Sequence, residues 1–118
     1  MTPESFLAGS PLGLETYHRV RSLLDAVDGV DTRTSKSQVA FRRRHGFAYL
    51  WLPGQYLTNP AAEVVLSIVL GRHEESSRFK EVVHPSPRDW MHHLEIRDAR
   101  DVEDAVADWL REAAERAG

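Results

Sequence analysis

The side chains of this sequence that are best equipped for chemistry fall into three groups. Lys36, Arg42 and Arg44 can hold an anion, Tyr49 and Trp51 can stack on a planar group, and the neighbours His92 and His93 can carry a proton or meet a metal. None of them sits in a catalytic spacing. Ser35 and Lys36 adjoin, but a serine-lysine pair needs further geometry, and GxSxG, Walker and dinucleotide patterns are missing. Gly9 to Gly13 lacks the lysine that would follow a phosphate cradle. On a strand, His92 and His93 point to opposite faces and cannot easily share an ion, and neither HxxxH nor HExxH occurs. His92 then reads as a half-buried, hydrogen-bonded core residue. Asp104, Asp108, Glu112 and Glu115 line one side of a helical stretch. There they read as a solvated face, eased by Glu112 with Arg116 and Asp108 with Arg111. The pattern calls for no metal and no cofactor.

The arginines and aromatics share one stretch, Thr34 to Pro53, which reads as a β-hairpin. Gly46 is expected to supply the positive φ of its turn. A two-residue loop at His45-Gly46 pairs Phe41 with Leu50 and Val39 with Leu52 on one face. The other face then carries Arg42 with Tyr49, Arg44 with Phe47, and Ala40 with Trp51. A three-residue loop, Arg44 to Gly46, slips the register by one. Val39, Phe41, Phe47, Tyr49 and Trp51 then share the core face, and the arginine-aromatic face largely disappears. Both registers fit the local pattern.

The flanking elements must position that hairpin. Ser10-Pro11 signals a helix start, and Leu14, Tyr17, Val20, Leu24 and Val27 form one apolar stripe that ends at Asp28-Gly29. Val30 to Thr34 reads as a short strand. Glu63 to Leu70 is apolar on both parities, the mark of a central strand. Phe79 to His84 is a weaker strand, ended by Pro85 and Pro87. Arg88 to Asp98 alternates, with Trp90, His92, Leu94 and Ile96 on one side. Asp101 can cap a last helix, with Asp104 three residues on, whose stripe is Val102, Val106, Trp109, Leu110 and Ala113. The order predicts an α+β two-layer sandwich: an antiparallel sheet of about five or six strands with the N- and C-terminal helices packed on one face. The opposite face is left open.

Length and composition fit one domain over residues 1–118, with Met1 to Gly9 as a loose lead-in whose Phe6 and Leu7 are tacked onto the body. The chain is 42% hydrophobic and 28% charged, with no apolar run near the roughly 20 residues of a membrane span. No basic n-region marks a signal peptide, and the absence of cysteine fits a cytoplasmic address. A net charge of −3 argues against a polycation, yet the basic residues Arg33, Lys36, Arg42, Arg43 and Arg44 gather in one stretch without an acid among them.

Three segments resemble a known family: FRRRHGFAYLWLPGQYL, EVVLSIVLGRHEESSRFKEVVHPSPRDWMHHLEI and VEDAVADWLREAAERA. They are similar to DUF5655, an uncharacterised family of small bacterial domains, over Phe6 to the C-terminus. The most specific features are Lys36 before the first hairpin strand, the Arg-x-x-Phe of Arg44 to Phe47, and Ser86-Pro87 followed by Trp90 and His92-His93. The resemblance implies the α+β sandwich and brings no catalytic residues with it. More distantly the layout is similar to frataxin-like iron chaperones and to MmcQ/YjbR-like domains. The first helix offers only Glu15 and Asp25, too few acids for the ridge of an iron chaperone.

These features predict a small non-catalytic binding module whose working surface is the open sheet face. Its candidate contacts are Lys36, Arg42, Arg44, Tyr49 and Trp51, with His92 or His93 at the margin. Its partner would be a small anionic or planar ligand, with no membrane involved. The competing readings are a nucleic-acid-binding domain, an enzyme with a sheet-face pocket, and a self-associating structural domain, a homodimer.

Overall fold

Strict alternation along the strands decides which residues meet the helices. In the computed structural model, which describes residues 1–118, six antiparallel strands form one open sheet with the helices packed on one face. In chain order the elements are helices α1 (Pro3–Phe6) and α2 (Pro11–Leu24), strands β1 (Asp31–Thr34), β2 (Val39–Arg42), β3 (Gly46–Trp51), β4 (Val64–Leu70), β5 (Glu81–Ser86) and β6 (Asp89–Ile96), and helix α3 (Asp104–Arg116). Across the sheet the order is β1-β2-β3-β4-β6-β5, so β4 lies inside and β1 and β5 are the edges. The α+β sandwich expected from the sequence is the fold that forms.

Two cross-strand rows make the covered face. Val39, Leu50, Leu66 and Leu94 form one, and Phe41, Ala48, Ile68 and His92 the other, all essentially inaccessible to water. Above them lie Tyr17, Val20 and Leu24 of α2 and Val106, Trp109, Leu110 and Ala113 of α3. Tyr17 stacks on Phe41 with ring centroids 6.0 Å apart, and Trp109 meets Phe79 at 4.6 Å. All seven residues of β4 are buried, as its unbroken apolar run requires.

The element ends differ from the local signals in instructive ways. Ser10 caps α2 by accepting the Gly13 N–H at 3.0 Å, but the helix stops at Leu24, and Gly29, at φ 79°, makes the reversal that follows. Helix α3 begins at Asp104. Asp101 does not cap it, because its carboxylate closes a capping box with Asp98 around the 3-10 turn Ala99–Asp101. Thr2 and Ser5 box the single turn of α1, and Leu7 beyond it is fully buried. Strand β5 runs through Pro85, which an edge strand tolerates at a register shift between Val83 and Ser86. Glu112 pairs with Arg72 through two bonds of 2.8 and 2.9 Å, and Arg116 turns to Asp89 at 3.0 Å. The expected Glu112–Arg116 pair is thereby replaced, whereas Asp108–Arg111 forms at 2.9 Å.

Truncation of Phe41, which fills the centre of the covered face, is expected to cost about 3–5 kcal/mol through lost burial and a cavity. Truncation of exposed Arg111 should stay within about 0.5 kcal/mol. Urea unfolding midpoints of Phe41→Ala and Arg111→Ala check both.

Candidate functional site

The β2–β3 hairpin adopts neither of the two registers that its sequence allows. Val39 pairs with Leu50, Ala40 with Tyr49, Phe41 with Ala48, and Arg42 with Gly46 across a bulge. The loop, Arg43 to His45, is held by α3. The N–H groups of Arg44 and His45 both donate to the Ala117 carbonyl, and the Arg43 guanidinium donates to the Ala114 carbonyl at 2.9 Å. Two backbone N–H groups and one guanidinium therefore satisfy the C-terminal end of a helix, where carbonyls lack partners and a positive charge is favoured. Gly46 does not have a positive φ; the only such residues are Gly29 and Asn59. Its missing side chain matters because the Tyr49 phenol lies over it, and any Cβ there would overlap the Tyr49 hydroxyl.

This register leaves Ala40, Tyr49 and Trp51 on the uncovered face, opposite Phe41 and Leu50. A single row crosses the whole sheet there: Arg33, Ala40, Tyr49, Ser67, His93 and Glu81. Trp51, Val65 and Glu95 form the next row, and Val69, Met91 and Val83 the one on the other side. Ser67 is only 1% exposed although no helix covers it, because half-buried Trp51, Tyr49, Met91 and His93 surround it.

Ser67 links two of those walls. The Trp51 Nε1–H donates to Ser67 Oγ at 2.9 Å, and Ser67 Oγ lies 2.6 Å from His93 Nδ1. The indole can only donate, while the hydroxyl, with one proton and two lone pairs, serves either tautomer of the ring, donating to a bare Nδ1 or accepting from a protonated one. Burial holds the His93 pKa below the ordinary histidine value, with Glu81 across the strand opposing only in part. His93 Nε2 makes no hydrogen bond within the protein.

Around this relay lies a cleft of 430 Å³, lined by Ser37, Gln38, Tyr49, Trp51, Tyr56, Ser67, Met91 and His93. Its lining carries no formal charge. Trp51 meets Tyr56 at 6.2 Å and His93 edge-on at 6.0 Å, so three rings share one corner. Tyr56 is 61% exposed, and its neighbour Leu57 59%. A second cleft, of 610 Å³, continues past Tyr49 and Met91 toward Gly46, Arg88 and Arg116.

A family model described as a domain of unknown function, DUF5655, matches residues 4–116. The chain belongs to that family. No curated protein and no solved structure matches this DUF5655 chain, and none of its helices is long and apolar enough to cross a membrane.

Of the residues singled out from the DUF5655 sequence, Tyr49, Trp51 and His93 come together in the cleft. Arg42 shares their face but not the cleft lining, since its register partners are Asp31 and Gly46. Lys36 stands exposed in the β1–β2 turn, where its carbonyl accepts from Gln55 Nε2 at 3.1 Å, beside Ser37 on the cleft rim. Arg44 is exposed at the hairpin tip beside α3. His92 belongs to the core, not to the margin of the open face. It is fully buried, its Nδ1–H donating to the Trp90 carbonyl at 2.9 Å and its Nε2 accepting the Glu74 N–H at 3.0 Å, with Phe79 against its ring. Sequence reasoning passed over Ser67, Met91, Tyr56 and the role of Arg33. Ser67 had a signal: a lone hydroxyl in an apolar central strand needs a hydrogen-bond partner.

Burial holds both His92 and His93 neutral below the usual histidine pKa. As pH falls through about 6.5 the unfolded chain takes up protons that the folded chain refuses, so stability present above that value is lost on acidification. Asp98, held at about 2 by Arg100, titrates in a separate window. The melting temperature should therefore drop between about pH 7.5 and pH 5, and His92→Gln and His93→Gln should each flatten part of that slope. Ser67→Ala should leave the fold intact and move the Trp51 indole N–H resonance, visible in a nitrogen-proton correlation spectrum.

Proposed function

We propose that this DUF5655 domain is a non-catalytic binding module that takes a planar group on the open face of its sheet. The observation that carries the reading is the Trp51–Ser67–His93 hydrogen-bond chain beneath the aromatic cleft. A buried hydroxyl holds the plane of a half-buried indole and the orientation of an imidazole before any ligand arrives, and binding then costs less ordering entropy. Trp51 and Tyr49 are two residues apart on one strand, so their side chains leave the sheet about 6.8 Å apart. The rim supplies the Ser37 hydroxyl and the Gln38 amide, and His93 supplies its unpartnered Nε2, as polar groups for the edge of a flat ring.

The same geometry argues against acyl-transfer chemistry at Ser67. Its oxygen already accepts from Trp51, and its strand is paired on both sides, so the neighbouring N–H groups belong to the β ladder and form no oxyanion hole.

Titration with a neutral heteroaromatic probe such as adenosine, followed at the Trp51 indole resonance, tests the reading. Saturable binding is expected, weakened about tenfold or more in Trp51→Ala, the loss of one stacking partner. Unchanged affinity in that variant would remove the cleft from consideration.

A further inference from the structure

The cations of this protein are unevenly committed. Arg72, Lys80, Arg97 and Arg116 each hold a carboxylate within 3.2 Å. Arg33, Arg42 and Lys36 make no side-chain hydrogen bond or ion pair, and all three lie at the β1–β2 side of the open face. The register settles the two arginines. Arg33 and Ala40 are partners, Asp31 and Arg42 are partners, and Ala40 is in turn opposite Tyr49. Arg33 and Arg42 thus flank Ala40 on the same face as Tyr49, and the small side chain of Ala40 leaves the surface between them low. Tyr49 leans over Gly46, the register partner of Arg42, so its ring lies between the free guanidinium and the neutral cleft. Asp31 stands opposite Arg42 without pairing to it. At the far side of the sheet the sign reverses: Glu81 ends the row that Arg33 begins.

We infer that the ligand of this face is a nucleotide, its base in the cleft between Trp51 and Tyr49 and its phosphate on Arg33 and Arg42, with Lys36 at the rim. The inference rests on the binding reading above and adds the anionic half of the ligand. An uncharged slot accepts a ring but discriminates against a charge placed in it, whereas unpaired guanidiniums about two strand spacings away, roughly 10 Å, are within reach of a phosphate joined to that ring through a sugar. The polarity of the sheet fixes the direction: a phosphate lies toward β1 and away from Glu81. Two sources carry this chemistry, a free mononucleotide and one residue of a single-stranded nucleic acid, for which stacking aromatics beside a basic track are a general solution.

Calorimetric titration of the full chain with adenosine, with AMP and with a single-stranded oligonucleotide of about six residues, at about 50 mM and 300 mM salt, tests the inference. AMP is expected to bind about tenfold more tightly than adenosine at low salt, the difference shrinking at high salt. The Arg33→Ala, Arg42→Ala double variant should bind the two equally and keep its adenosine affinity and its melting temperature to within a few degrees, since neither side chain makes a hydrogen bond or ion pair. Trp51→Ala should lose both ligands. Oligonucleotide binding well above that of AMP would assign the site to a single strand, and equal binding to a free nucleotide; either supports the inference. Equal affinity of the wild type for adenosine and AMP would overturn it while leaving the planar site standing. Failure of all three to bind would overturn both.

Discussion

Strand β4 is buried along its whole length, while helices cover only one side of the sheet to which it belongs. That mismatch is the constraint from which the open face follows. Val65, Ser67 and Val69 have to be shielded by side chains of the neighbouring strands, and the side chains long enough to do so are Trp51, Tyr49, Met91 and His93. A ring laid across a sheet to shield its middle is also a ring presented to solvent on its outer side. The shielding of the sheet and the making of a cleft are one packing solution.

Ser67 turns that solution into a defined site. Apolar residues at its position would be shielded equally well, but would leave the indole and the imidazole free to rotate. A buried hydroxyl between them converts two adaptable rings into a fixed corner, while burial keeps the imidazole uncharged. Along the row through Ser67 the face runs from an unpaired Arg33 through Tyr49, Ser67 and His93 to Glu81, while Glu95 in the next row is paired with Lys80.

How much of this was legible in the sequence depends on how local the cause is. The stripes of α2 and α3, the two-faced burial of β4 and the opposite facing of His92 and His93 follow from periodicity within single segments, and they stand in the structure. The hairpin register does not follow in that way. Its loop is drawn out to Arg43–His45 by the carbonyls of Ala114 and Ala117, some 70 residues away in the chain, a contact that no local pattern reveals. The face assigned to Tyr49 and Trp51 by the tighter loop was nonetheless the observed one, since sliding a strand by two residues preserves its parity. The arginine run read differently for the same reason: Arg43 and the backbone of Arg44 serve the end of α3, and the cation in register with the aromatics is Arg33, which lies on a separate strand.

The central claim is that the Trp51 corner is preformed by Ser67 and receives a planar ligand. The most direct measurement is the affinity of adenosine for the wild type and for Ser67→Ala, at matched stability, with the Trp51 indole resonance as the probe. Weaker binding by several-fold in Ser67→Ala, with a broadened indole signal in the free protein, is the expected result. Identical affinity in the two proteins would contradict it, since the ring would then need no fixing to do its work.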